Sequence, residues 1–157
     1  MKIIIQSILL TIVFTVLTGG LYPLAITGIA QVTFHDKANG SLITQRDGQV
    51  VGSELLAQQF TGPKYFWPRP SADSYVSVPS GASNLGPTSG ALQSNVLNNA
   101  KVFRDGNQLA ADAPVPSDMV FTSGSGLDPH ISPEAARLQI ARVAAERKLG
   151  TDQVSAL

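Results

Sequence analysis

Between Ile3 and Phe34 the sequence reads IIIQSILLTIVFTVLTGGLYPLAITGIAQVTF, without one charged side chain. About 20 mostly apolar residues suffice for a helix to cross the hydrocarbon of a bilayer. The run therefore specifies a membrane-spanning helix. It is longer than the layer it has to cross, so it must tilt, bend or let its last turn project, and Gly19, Gly20 and Pro23 mark where a bend is expected. The Gly19-Gly20 pair also permits close approach of a second helix, although glycine is frequent in spans generally. Tyr22 and Phe34 are candidate interfacial aromatics.

The competing reading is a cleaved signal peptide, since Lys2 gives a short basic start and Gly28-Ile29-Ala30 has the small-x-small form of a cleavage site. The apolar run is roughly twice the h-region of about 7–15 residues that such peptides carry. An uncleaved anchor over residues 1–34 is the expectation. Lys2 precedes the span, whereas Asp36 and Lys37 cancel after it, which puts the N-terminus in the cytoplasm and residues 35–157 outside.

Those remaining residues hold a small domain. In the whole chain 11 basic side chains balance 11 acidic ones, so no basic field exists to bind nucleic acid by counterion release. Cysteine is absent, which excludes disulfides, thiolate catalysis and cysteine-based zinc sites. Frequent Gly and Pro with few aromatics predict a loop-rich α+β domain. Residues 41–52, SLITQRDGQVVG, read as a hairpin whose Asp47-Gly48 supplies the positive φ angles of a type I′ turn. Ser53 is positioned to cap a short helix, SELLAQQF. Gly62–Pro87 is too rich in Pro, Gly and Ser for regular structure and is expected to be a long loop.

Leu92, Val96, Ala100 and Phe103 share one helical face, predicting a helix from about Ser89 to Arg104; a second hairpin around Asp105-Gly106 is the alternative. SDMVF at 117–121 reads as a short strand. The clearest soluble helix follows: Ser132 caps it, Pro133 and Glu134 suit its first turn, Leu138, Ala141, Ala145 and Leu149 line one face, and Gly150 ends it. After it, TDQVSAL starts like another helix, with Thr151 as cap and Val154 and Leu157 on one side, and the sequence stops, as though a C-terminal stretch were missing.

Ser123, Ser125, Asp128 and His130 supply the residue types of a hydrolytic triad within eight positions. Known triads draw their members from separated parts of a fold, and no G-x-S-x-G elbow is present. Gly124 and Gly126 instead suit a tight path, with Asp128-Pro129 turning the chain into the capped helix. The loop Ser123, Gly124, Ser125, Gly126 precedes a helix N-terminus, which attracts anions, but the P-loop pattern is absent, so phosphate binding there is a weak expectation. His35 and His130 lie far apart, without a carboxylate cluster, and suggest no metal site. Tyr65, Phe66, Trp67 and Arg69 in KYFWPRP form either an aromatic recognition surface or, as favoured here, a cover for the domain's own small core.

Taken together, GPKYFWPRPSA, SGASNLGPTS with its Asn84, and SGSGLDPHISPEAARLQIARVA, in that order behind one N-terminal span, resemble the C subunit of the Kdp-type potassium-transporting ATPases. The likeness covers essentially the whole chain. Members of that family usually continue beyond the position of Leu157, and Trp67 stands where histidine is common. The resemblance implies a non-catalytic subunit of a complex in the bacterial inner membrane, with a channel-like potassium-translocating subunit and a P-type ATP-hydrolysing subunit as partners and lipid around the span. Such subunits are described as catalytic chaperones that support assembly and raise the pump's ATP affinity. ATP and potassium would then be handled by the complex, with no cofactor bound by this chain alone. Gly19, Gly20, Tyr65, Trp67, Arg69, Asn84, Asp128 and His130 are the candidate partner or structural positions. The alternatives are a subunit that contacts nucleotide directly and an independent membrane-anchored domain.

Overall fold

The computed structural model describes residues 1–156, which divide into two compact units, Met1–Ser53 and the residues from Glu54 onward. The first unit starts with a 32-residue helix, Lys2–Thr33, long and apolar enough to cross a membrane. Its parts are α1 (Lys2–Val16), a π-helical turn at Leu17–Leu21, and α2 (Tyr22–Thr33). Pro23 lacks an N–H, and its ring crowds the carbonyl four residues back, that of Gly19. Widening one turn absorbs this defect: the Tyr22 N–H reaches the Leu17 carbonyl, five residues back. The hydroxyls of Ser7, Thr11, Thr18 and Thr33 each donate to the carbonyl four residues earlier, which satisfies them without water.

A single turn, α3 (His35–Ala38), leads into strands β1 (Leu42–Thr44) and β2 (Val50–Ser53). They pair antiparallel, Leu42 opposite Ser53 and Ile43 opposite Gly52, with the register shifting before Thr44 meets Val50. The expected hairpin forms, but its turn is not type I′. The Gln45 N–H bonds the Gln49 carbonyl and Gly48 alone takes a positive φ, +84°, so three residues make the loop and Asp47 avoids the left-handed region. The Asp47 carboxylate accepts the Gln49 N–H instead.

In the second unit no helix forms over SELLAQQF. The Ser53 hydroxyl donates to the Gly40 carbonyl rather than capping, and the Ala57 N–H bonds the distant Leu127 carbonyl at 2.8 Å, a tertiary contact that a helical turn would preclude. The segment from there to Ser89 is irregular, as its composition indicates. Helix α4 (Gly90–Asn107) starts where Ser89 accepts the Leu92 N–H, and it absorbs Asp105 and Gly106, so the second hairpin does not form. SDMVF is helical rather than extended: α5 (Ser117–Val120) is one turn that buries Met119 and Val120 and turns Asp118 the other way. Helix α6 (Pro133–Arg147) has the expected Ser132 cap, but ends at Lys148 (φ +56°); Gly150 caps α7 (Thr151–Ser155). Leu157 lies outside the described residues.

Two apolar clusters form the core. Phe103, Met119 and Ala135 pack with Leu109, Val115, Ile131 and Leu138; Val143, Ala144 and Val154 pack with Phe66 and Ile140. The buried face of α6 is thus not the expected aliphatic one: Ala141, Ala145 and Leu149 are exposed, whereas Ala135, Gln139, Arg142, Val143 and Ala144 are buried.

Candidate functional site

The polar stripe on α6 explains itself through the loop it faces. Residues 62–70 carry three prolines and form no strand, so their peptide groups have no ladder to join. Helix α6 supplies partners from side chains. The Trp67 N–H donates to Gln139 Oε1 at 2.7 Å, and Gln139 Nε2 donates to the Trp67 carbonyl at 3.3 Å. Arg142 donates to the carbonyls of Pro63 and Tyr65, to Gln139 Oε1 and to Asn107 Oδ1. Its guanidinium also stacks on the Trp67 ring, 4.3 Å from the centroid. One turn further on, Arg147 donates to the Lys64 carbonyl and lies over the Tyr65 ring.

Every acceptor around Arg142 is neutral, and burial pushes its guanidinium below its ordinary pKa, with Glu146 opposing. The Trp67 ring lies hard against Gly106 of α4, where a Cβ would come within 2.1 Å of it. Tyr65, Phe66 and Trp67 therefore fold back onto their own domain.

Beyond Trp67 the same loop reaches Asp128. Arg69 Nη1 lies 2.7 Å from Asp128 Oδ2, while Asp128 Oδ1 accepts the His130 N–H and lies 3.0 Å from His130 Nδ1. The His130 backbone donor, its ring and the Arg69 guanidinium together hold the Asp128 carboxyl below the usual carboxylate range, against a smaller opposing effect of burial. The Tyr75 hydroxyl donates to the Arg69 carbonyl, and burial raises its pKa. Arg69 Nε is buried without a hydrogen-bond partner among the described residues. An open cavity of about 570 Å³ lies here, lined by Leu55, Arg69, Ser80, Ser123, Asp128 and His130 among others.

This arrangement gives the serines a structural job. The Ser123 hydroxyl accepts the Asp128 N–H and the Ser125 hydroxyl accepts the Leu127 N–H, while the His130 ring turns to Asp128. The Gly126 N–H returns to the Ser123 carbonyl. Gly126 has φ +71°, and a Cβ there would stand 2.8 Å from the Gly81 carbonyl oxygen, so this loop closes against the 80s loop. The start of α6 is also occupied: Asp118 accepts from both the N–H and the hydroxyl of Ser132, placing a carboxylate at the positive end of the helix. Asn84 is exposed with φ +53°, and Gly19 and Gly20 sit in the π turn with open space around them. The structure brings Tyr65, Trp67, Arg69, Asp128 and His130 into one continuous arrangement. It also adds Gln139, Arg142 and Asp118, which sequence reasoning missed. The available signal was a pair of long polar side chains, Gln139 and Arg142, three residues apart on the stripe that starts at Ala135.

Residues 4–157 match the family model described as "KdpC: K+-transporting ATPase, c chain". The chain belongs to the KdpC family. Among curated members, the "Potassium-transporting ATPase KdpC subunit" of Geobacter sulfurreducens is 49% identical over 100% of this chain and 83% of its own length. That of Pseudomonas putida is 51% identical over 94% of this chain and 78% of its own. The Mycobacterium bovis KdpC subunit is 49% identical over 98% and 82%. Among the described residues of this KdpC-family chain no three His, Asp or Glu side chains gather as a metal site.

Proposed function

We propose that this chain is an accessory, non-hydrolysing subunit of an ATP-driven potassium uptake complex. In this reading it is anchored in the bacterial inner membrane by Lys2–Thr33 with its N-terminus inside, and it helps a channel-like subunit and a P-type pump subunit to assemble. The observation that carries the reading is the family match over residues 4–157, names of whose members state a potassium-transporting ATPase subunit. The way the polar groups of Ser123, Ser125, Asp128, Gln139 and Arg142 are used supports it, because they are committed to holding loops in place.

With the second unit outside, the chain raises the pump's ATP affinity only through its partners. Such coupling is typically about 1–3 kcal/mol, or roughly 5- to 150-fold. The chain contains no cysteine, so Ser80→Cys, on an exposed loop residue, gives a single label site. A membrane-impermeant thiol reagent added to intact spheroplasts is expected to label it. Labelling only after the cytoplasmic side is opened would instead place the domain with the nucleotide and favour direct ATP contact.

A further inference from the structure

Two cavities of the second unit adjoin at Pro70 and Asn99, which line both. The first, about 360 Å³, is walled mainly by rings and aliphatic groups, among them Phe60, Trp67, Tyr75, Val102, Phe103 and Met119. The second, about 450 Å³, is polar, with Asp73, Ser83, Asn95 and Thr122 in its walls. No Lys, Arg or His lines either cavity, and among the lining residues Asp73 alone carries a charge. The local structure sets up this asymmetry. Trp67 is held from behind by Gln139 and Arg142. Tyr75 is brought back over the loop by two successive left-handed residues, Ser74 at φ +52° and Tyr75 itself at φ +62°. Such conformations are unfavourable for L side chains, and the surrounding bonds hold them: the Tyr75 hydroxyl donates to the Arg69 carbonyl, and Ser71 Oγ accepts the N–H groups of both Asp73 and Tyr75. The backbone around Asp73 is thus fixed while its carboxylate is left over. It takes no part in the ion pairs among the described residues, which use Asp105 and Asp128. Asn99 commits its amide N–H to the Val120 carbonyl, which leaves its oxygen as an acceptor where the cavities meet.

We propose that the paired cavities bind a small amphiphilic organic cation, with its apolar body beside Phe60, Trp67 and Phe103 and its ammonium group at Asp73. An ammonium has donors and no acceptor, which suits walls that offer carboxylate, amide and hydroxyl oxygens. Sites for small molecules occupy about 300–1,000 Å³ and combine an apolar lining with a few polar groups that fix orientation. An anion would meet Asp73 with no basic lining residue to offset it. An inorganic divalent ion would find a single carboxylate and would leave the apolar cavity unused. The site goes beyond the accessory-subunit reading and does not depend on it.

Trp67 is the single tryptophan of the chain, so its emission reports directly on the apolar cavity. The test uses the full chain in phosphatidylcholine nanodiscs, whose lipid carries no net charge. Phenethylamine is the probe, with phenethyl alcohol and hydrocinnamate as its neutral and anionic counterparts. A saturable change in Trp67 emission is expected with the amine, and binding about fivefold weaker with the alcohol, the upper end for an ion pair in contact with water. Asp73→Asn is expected to bring the amine down to the affinity of the alcohol and to leave the alcohol unchanged. Val102→Phe, which fills the apolar cavity from a position 52% exposed, is expected to abolish both. No saturable change with phenethylamine, an equal response to hydrocinnamate, or amine binding that survives either substitution unaltered would overturn the proposal. Because the chain is tested alone, each of those results would leave the accessory role standing.

Discussion

Gln139 is fully buried and closes both hydrogen bonds of the Trp67 peptide, and Arg142 beside it satisfies two more loop carbonyls. Arg142→Ala strips donors from four acceptors and removes the Trp67 stacking partner. Leaving buried acceptors unpaired costs about 1–3 kcal/mol each where water cannot replace the donor. A loss of about 3 kcal/mol in urea unfolding of the detergent-solubilised chain is expected; a loss below about 1 kcal/mol would show that the loop is held by other means. Asp128 gives a pH signature. Its folded pKa lies below the usual carboxylate range, so its contribution is present above the unfolded pKa and lost as pH falls through the folded one. Asp128→Asn is expected to lower the urea midpoint at neutral pH, and the gap to wild type should close as the pH falls through the lowered pKa of the folded state. A gap that persists in acid would mean that the variant acts through shape rather than charge.

At the level of elements, α4, α6 and the long apolar helix were readable because their signals are local: Ser89 and Ser132 cap, Pro133 sits in the first turn, and residues 3–34 carry no charge. The misread segments were decided by distant partners. SELLAQQF stays irregular because Ala57 bonds Leu127, and SDMVF coils because one turn buries Met119 and Val120 while aiming Asp118 at Ser132. The face of α6 was misjudged for the same reason, since aliphatic spacing says nothing about a proline-rich loop that needs donors and acceptors. Of the candidate site, Arg69, Asp128 and His130 were legible as residues, but their mutual contacts were not, since Asp128 lies 59 residues beyond Arg69 in the sequence. The π turn yields a clean test of helix docking. A Cβ at Gly20 meets no atom of another element within 4 Å among the described residues, so Gly20→Ile, with retained helicity checked by circular dichroism, tests a neighbouring helix. Reduced co-purification of the membrane-embedded partner is expected; full recovery would remove Gly19-Gly20 from the docking face.

For the molecule as a whole, a helix long and apolar enough to cross a membrane precedes a small domain in which the polar side chains that resembled chemistry serve to fasten loops. Its family membership points to a multi-subunit pump. The most direct measurement is affinity purification of this chain from bacterial membranes grown under potassium limitation, with ATPase activity assayed with and without the chain. Recovery of a channel-like subunit and a P-type pump, together with ATPase activity that depends on this chain, is expected. Purification of the chain alone, or ATPase activity indifferent to its removal, would contradict the accessory role.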